Sequence, residues 1–466
     1  MKKAHVIGIS GVAMSATAKL LQDSGWSVSG SDDACYPPAS DYVEKLGVKM
    51  SIGYKPENIP NDTELIVIGR NAQLNPETNT EVQAAVNSKA RVASYPEILR
   101  ELSDNKHRVV VSGSYGKSTV TSLLSWVLQH AGKEPGYFIG AYPNDMEYTS
   151  ALGKGDTFIM EGDEYPTAHG DDSAKFLHYD PADIILTSVD HDHVNVYPTY
   201  EDYQKPFIEM LEKMPTSGLL VACTDNEGVN EIGHNTKAGI TTYGIYNDAI
   251  WTAKNISYGE TTSFELRKDG IAITNISTTL LGAHNVQNIV GAAALLLERN
   301  LVTPEELAAA LSAFNGIRRR LNRITNTTAV PAYEGFGTSY EKARSAIAAI
   351  RLHFPDKQMV ILFEPHTFSW RNRDAITWYD NVFKEATRVL VYHPAEQGAD
   401  THKQLTQEEI TDRINSSGTD ATSVNTQGDI HTELTNTLNE DSVLLILTSG
   451  NLDGTLNDLP TWLNKR

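Results

Sequence analysis

The stretch VVVSGSYGKSTVTSLLSWVLQ, from Val109 to Gln129, constrains this chain more than any other. An apolar, β-branched run meets a Gly-Ser-Tyr-Gly turn, and Lys117, Ser118 and Thr119 then open a helical pattern. Strand, glycine turn, Lys-Ser/Thr and helix in this order form a phosphate-binding loop. Backbone N–H groups of the turn and of the helix start converge on one spot and favour an anion there. Lys117 adds a full positive charge, and the Ser118 or Thr119 hydroxyl can ligate a magnesium ion. The usual pattern has about four residues between its glycines. Here Val111 stands at the upstream glycine position, and only Gly113 and Gly116 remain. The alternative is an ordinary strand–helix connection that carries a lysine. The flanking strand and helix favour a nucleoside triphosphate site built from Gly113, Ser114, Tyr115, Gly116, Lys117, Ser118 and Thr119.

A chain of 466 residues has room for about three domains at roughly 150 residues each. The balance of 39 basic against 59 acidic residues gives a net charge of −20, which argues against nucleic acid or an anionic membrane as partner. An anionic substrate must then be met by local clusters such as Arg318, Arg319 and Arg320. No apolar stretch approaches the roughly 18 residues of a membrane span, and MKKAHVIGISG enters a strand pattern directly. Cys35 and Cys223 give no metal or disulfide framework. The expectation is a soluble, cytoplasmic protein.

Three β/α blocks follow one another, which implies parallel sheets. The first, over 1–104, contains HVIGIS, a helix from about Val12 to Ser24, WSVSGSD and ELIVIG. Its opening turn places Gly8 and Gly11 between strand and helix, and Asp32 follows the second strand. Counted as a dinucleotide fingerprint, the later glycine positions fall on Ser10 and Ala13, so glycines needed only for a tight turn are an equal reading. The second block, over 105–315, adds strands at DTFIMEGD, DIILTSV and GLLVAC to the phosphate loop. The third, over 316–466, has a helix around Lys342–His353 and strands at MVILFEP, RVLVY and SVLLILTSGN. Between Thr411 and Asn439 a Thr/Asn-rich stretch predicts weak helices and exposed loops.

Two polar constellations follow strands of the second block. EGDEY puts Glu161, Asp163 and Glu164 past one apolar strand, and SVDHDH puts Asp190, His191, Asp192 and His193 past the next. Carboxylates and imidazoles at the carboxyl ends of parallel strands, beside a phosphate loop, suit magnesium–nucleotide chemistry. Zinc is the rival for the His-Asp-His run, but no cysteine or distant histidine completes a recognisable spacing. Either run, taken alone, is also compatible with a solvated strand end.

These motifs together resemble the Mur ligase family. SGSYGKST is similar to its phosphate loop, which has the shorter glycine spacing, and EGDEY, DHVNVYPTYEDY, GAHNVQN and GIRRRL are similar to its central-domain signatures in the same order. HVIGISGVAMSATAKLLQDSGWSVSGSD resembles the UDP-binding domain of the muramate-accepting members, so the resemblance spans essentially the whole chain. It implies a three-domain α/β architecture: an N-terminal Rossmann-like UDP-sugar domain, a central P-loop ATPase domain and a C-terminal Rossmann-like acceptor domain. It implies ATP and Mg²⁺ as cofactors, and UDP-N-acetylmuramate and a peptide or amino acid as partners, joined through an acyl phosphate. Within the family, EGDEY followed by SAKFLHYDP is most similar to members that attach a preformed tripeptide; the alanine-adding members normally have a shorter segment there.

Carried over by resemblance, Lys117 binds the β/γ-phosphates, Ser118 and Glu161 hold one Mg²⁺, and His193 a second cation. Asn285 and Asn288 read the adenine, and Arg320 reaches the γ-phosphate. Gly8, Ser10, Gly11, Ser31, Asp32 and His366 meet substrate. From side-chain type alone, Asn285 is also a cap residue and Arg318–Arg320 an exposed basic hinge. The sequence departs from the family in two places. Tyr115 replaces a histidine of the phosphate loop. The third-domain motif reads EGFGTSYEK, with Gly335, Thr338 and Tyr340 at the expected aspartate, histidine and proline, and Glu334 replaces the carboxylate only if the backbone shifts by one. Two readings outside this class remain: a nucleotide-binding protein that has lost turnover, and an oxidoreductase, which leaves the phosphate loop without a role.

Overall fold

The computed structural model describes residues 2–36, 38–393 and 404–465. Among them, no helix is long and apolar enough to cross a membrane. The alternation of strands and helices produces three large sheets and one small hairpin.

The first sheet has five strands in the spatial order Lys49–Ile52, Ser27–Asp32, Lys3–Ile7, Leu65–Ile68 and Arg91–Ala93. Its first strand pairs in parallel with Ser27–Asp32 on one side and Leu65–Ile68 on the other, so the strand order reverses there. The chain leaves Ile7 through Gly8 at φ +86 and enters the helix Val12–Asp23, as the pattern predicts. An alanine methyl at Gly8 would lie 2.9 Å from Leu74 Cδ1, so both conformation and packing require the glycine.

Under this turn a buried carboxylate ties strands to loops. Glu81 Oε1 accepts from His5 Nε2 at 2.8 Å and Ser31 Oγ at 2.6 Å, while Oε2 accepts from Lys55 N at 2.9 Å and Asn58 Nδ2 at 2.8 Å. Both His5 and Glu81 are fully buried. Burial pushes the Glu81 carboxyl up, but the hydrogen bonds from His5, Ser31 and Asn58 outweigh it and hold it below its ordinary range.

The second sheet has ten strands. Its middle runs Leu219–Cys223, Asp183–Leu186, His107–Ser112, Thr157–Gly162 and Gly136–Phe138. The third has six, in the order Arg320–Arg323, Ala332–Gly335, Ser442–Leu447, Gln358–Phe363, Arg388–Tyr392 and Asp420–Val424. That last strand corrects the reading of Thr411–Asn439 as weak helices and loops. The strand is flanked by the helices Gln407–Ser416 and Gln427–Thr437, each opened by a capping box, Thr406 with Glu409 and Thr426 with Asp429. Reciprocal capping and the burial of Ile410, Ile414, Val424, Ile430 and Leu434 stabilise what the polar composition obscures.

The chain forms two compact units, one of residues 1–255, 264–277 and 286–314, the other of 256–263, 278–285 and 315–466. The first sheet and, apart from the ends of Trp251–Ser257, Thr262–Lys268 and Ile271–Thr278, the second fall in the first unit, and they share one apolar cluster, which includes Val6, Leu20, Val110, Phe138 and Phe158.

Replacing Glu81 by alanine strands four donors around a buried histidine. The expected cost is about 3–5 kcal/mol in urea unfolding. Because the folded carboxyl is held low, its contribution is present at neutral pH and is lost as pH falls through the folded value. A loss below about 1 kcal/mol would show that water replaces the carboxylate.

Candidate active site

Three neighbouring strands of the second sheet carry the motifs. His107–Ser112 lies between Asp183–Leu186 and Thr157–Gly162, with Ser112 level with Leu186 on one side and Gly162 on the other. The glycine turn, the acidic run and the His-Asp-His run therefore leave one edge at one height, where open parallel sheets place ligands.

Gly113 has φ +138 and Gly116 φ +84. A methyl at Gly113 would stand 2.3 Å from Thr187 Oγ1 and 2.7 Å from Ser188 N, and one at Gly116 would stand 2.7 Å from Asn288 Oδ1. Only bare backbone fits at these two positions, which lets an anion approach the turn closely. The helix Lys117–His130 begins at Gly116 with no side-chain cap, so its first-turn N–H groups favour an anion as well. Ser188 braces the turn by accepting from Ser114 N through its carbonyl and from Tyr115 N through its hydroxyl.

Lys117 folds back over this turn. Its Nζ donates to the Gly113 carbonyl at 2.5 Å and to Glu164 Oε2 at 2.9 Å. Glu164, fully buried, also accepts from Tyr203 OH at 3.2 Å and stands 3.5 Å from His193 Nε2. That carboxylate, followed by neighbouring acids, raises the His193 pKa above its ordinary value against the opposing effect of burial. Asp163, beside Glu164, is pushed up by burial, but Lys175 at 2.5 Å prevails and holds it low.

Glu161 points elsewhere. Its Oε1 accepts from Ser118 Oγ at 2.7 Å and its Oε2 from Gly140 N at 2.7 Å. A hydroxyl and a carboxylate side by side beside a phosphate loop fit Mg²⁺, which takes one or two protein oxygens plus phosphates and water. Among the described residues no group of three His, Cys, Asp or Glu is placed to hold a metal ion. His193 is directed to Glu164 rather than Glu161, and its protonated form has no lone pair to offer a cation.

The remaining expected residues are placed as follows. Ser114 Oγ donates to the Asp190 carbonyl at 2.7 Å, Tyr115 and Thr119 flank the turn, and Asn288 lies against Gly116. In the first sheet, Ser10 N donates to Asp32 Oδ2 at 2.8 Å and Gly8 N to the Ser31 carbonyl at 2.8 Å, so Gly8, Ser10, Gly11, Ser31 and Asp32 come together. The Ser31 hydroxyl itself turns inward to Glu81. Asn285, Arg320 and His366 belong to the second unit. Asn285 Nδ2 donates to the Leu281 carbonyl at 2.8 Å. In the altered third-domain motif no backbone shift occurs, since Ala332–Gly335 keeps regular parallel register with Leu444–Leu447. A side chain at Gly335 would meet Leu447, Leu321 and Ala346, which is apolar core. Glu334 takes the opposite face, 3.3 Å from Arg319 Nε, with its pKa raised by burial.

The sequence reading gave Glu164 no role of its own. The only signal was its place in the acidic run, three residues after Glu161. Glu164→Gln is expected to return the His193 pKa toward its ordinary value near 6.5 in an NMR titration. The folded value being raised, the pair stabilises the fold below pH about 6.5 and loses that contribution as pH rises through it. An unchanged His193 titration would assign the shift to the neighbouring acids instead.

Two family descriptions match: "Mur ligase family, catalytic domain" over residues 3–107 and "Mur ligase middle domain" over residues 111–296. The chain is 27% identical over 454 residues to a UDP-N-acetylmuramate–L-alanine ligase of Geobacter sp. (strain M21), covering 97% of this chain and 95% of the relative. It is 28% identical to the enzyme of that name from Chlorobium chlorochromatii (strain CaD3), with coverage of 97% and 95%. Among solved structures, the UDP-N-acetylmuramate–alanine ligase of Thermotoga maritima superposes with TM-score 0.81 at 20% identity over 100% of both chains. A murein peptide ligase of Psychrobacter arcticus gives 0.67 at 23% identity over 100% of this chain and 99% of that one. The ordered motifs, the α/β sheets and the two matched descriptions agree: the chain belongs to the Mur ligase family of ATP-dependent amide ligases of peptidoglycan synthesis.

Proposed function

We propose that this ligase joins a preformed peptide, of the L-alanyl-γ-D-glutamyl-meso-diaminopimelate type, to UDP-N-acetylmuramate, as a murein peptide ligase does. The observation that carries the choice of acceptor is the segment after the acidic run. It forms an antiparallel hairpin, Pro166–Ala168 with Asp171–Ala174, before the next sheet strand. By the family resemblance, the alanine-adding members normally have a shorter segment there. A second reading, L-alanine as acceptor, is favoured by the names of the relatives at 27% and 28% identity.

In this reading residues 1–104 hold the UDP-sugar, 105–315 the ATP and 316–466 the acceptor. Support for an anionic ligand on the first sheet comes from Arg70, which follows Leu65–Ile68 at the reversal of strand order. Its Nη1 is buried without a hydrogen-bond partner. At the phosphate loop Lys117 leaves the Gly113 carbonyl for the β/γ-phosphates, while Glu164 retains Tyr203 and His193. Ser118 and Glu161 would hold Mg²⁺, which would supply charge neutralisation at the transferring phosphoryl group. Asn285 and Asn288 are assigned to the adenine and Arg320 to the γ-phosphate, as in the family. The sugar carboxylate attacks the γ-phosphate and ADP leaves; the acceptor amine then displaces phosphate from the acyl phosphate and loses a proton as the amide forms. The chain contributes position and preorganised charge to both steps.

Phosphate release from ATP, with UDP-N-acetylmuramate and either L-alanine or the tripeptide, tests the proposal. The expected outcome is a higher kcat/KM for the tripeptide, and the reverse order would transfer the chain to the alanine-adding branch. Lys117→Ala should reduce turnover by about 100-fold or more, with the fold retained. Wild-type turnover by that variant would remove the phosphate loop from the mechanism.

A further inference from the structure

The second unit contains a buried carboxylate that, among the described residues, has no lysine or arginine partner. Glu364 ends the strand Gln358–Phe363 and is 5% exposed. Its Oε2 accepts from Thr448 Oγ1. Its Oε1 takes no hydrogen bond and has only His366 Nδ1 at 3.4 Å, an ion-pair distance without hydrogen-bond geometry. That imidazole nitrogen is itself buried and unsatisfied, as are Ser449 Oγ and Thr338 Oγ1 on the adjoining loops. A buried carboxylate with one hydroxyl partner is under-compensated on general grounds, and orphaned polar atoms around it call for a ligand.

The surroundings are built to hold the carboxylate open. Ser442–Leu447 runs between Ala332–Gly335 and Gln358–Phe363, with Leu447 level with Gly335 on one side and Phe363 on the other. Side chains alternate along strands, so Glu334, Thr448 and Glu364 project from one face at the carboxyl end of three neighbours. A methyl on Gly450 would stand 2.5 Å from Glu364 Oε2 and 2.7 Å from His366 Nδ1, so the loop passes directly over the carboxylate. The Gly450 N–H donates to Thr448 Oγ1 at 2.8 Å, which aims that hydroxyl at Glu364. Arg319 does not fill the site. Its guanidinium is held by Glu334 at 3.3 Å and the Ser449 carbonyl at 3.1 Å.

We propose that Glu364, with Thr448, the Ser449–Gly450 loop and His366, is a recognition site for a primary ammonium group: that of the amine-bearing acceptor. An ammonium matches a lone carboxylate with hydroxyl acceptors beside it, whereas Glu364 and His366 alone are too few to cage a metal. The site supplies from a different strand the carboxylate that Gly335, facing the core, cannot present. Glu364 therefore acts as a specificity residue for acceptors with a free amine. This inference rests on the ligase reading above.

Calorimetric titration of the full chain, saturated with UDP-N-acetylmuramate and a non-hydrolysable ATP analogue, tests the site. The probes are the tripeptide, L-alanine and the N-acetylated form of each. At least one free amine should bind, its N-acetylated form should bind at least about 10-fold more weakly, and Glu364→Gln should weaken the free amine about 10- to 100-fold. Thr448→Val, which keeps the charge, should weaken it less, and decides the matter should Glu364→Gln fail to melt as a folded protein. Equal binding of free and N-acetylated probes, undiminished binding by Glu364→Gln, or no binding of either amine overturns the site. Failure of the ligase reading shows separately, as no acyl phosphate trapped by hydroxylamine from wild-type protein with ATP and UDP-N-acetylmuramate.

Discussion

Parallel pairing of His107–Ser112 with Thr157–Gly162 and Asp183–Leu186 fixes where the first unit can place charge. A slip of one residue would turn the buried Val109–Val111 run to the other face, and a slip of two would move a motif by about 6.6 Å. Either would separate Ser118 from Glu161, whose contact spans only 2.7 Å. The apolar strand interiors therefore do more than fill a core: their register sets the distances at which polar groups meet beyond the strand ends.

Two buried glutamates show the two ways such an edge can treat a negative charge. Glu164 carries an internal cation, Lys117, together with Tyr203 and a histidine whose proton it helps retain. That network is complete in itself, so in the proposed reading phosphate draws Lys117 away from a partner it already has. Among the described residues Glu364 has no such cation, and its Oε1 lies beside an unsatisfied imidazole. One site is held closed by the chain, and the other is left for something to complete it.

Much of this was legible in the residues. The phosphate loop, the helix Val12–Asp23, the strands of all three blocks and the close approach of Ser118 and Glu161 follow from glycine turns, apolar runs and motif order. What escaped depended on facing and on partners far away in sequence. Gly335 reads as a lost carboxylate, yet its direction into Leu447, Leu321 and Ala346 shows a position that packs against core. The local pattern around His193 does not show that Glu164, distant by one strand, stands beside it. The strand Asp420–Val424 has little apolar pattern because it closes an edge, and only the two capping boxes flanking it, Thr406 with Glu409 and Thr426 with Asp429, betray the local order. Such facts belong to tertiary pairing, which no local window contains.

The apolar cluster that runs from Val6 and Leu20 to Val110, Phe138 and Phe158 also bears on how the chain can be taken apart. Tyr95 stacks on Phe138 at 5.5 Å, Ser150 Oγ donates to the Ala16 carbonyl, and Tyr42 receives Thr149 from across the same boundary. A cut near residue 104 would strip both sheets of a shared wall and expose it to water. Chimeras that exchange only the first sheet between family members inherit a mismatched seam, whereas those cut near residue 315 keep the seam whole. In hydrogen exchange the two sheets should open together, as one foldon in which the edges that carry the Gly8 turn and the Gly113–Gly116 turn lose protection at the same free energy.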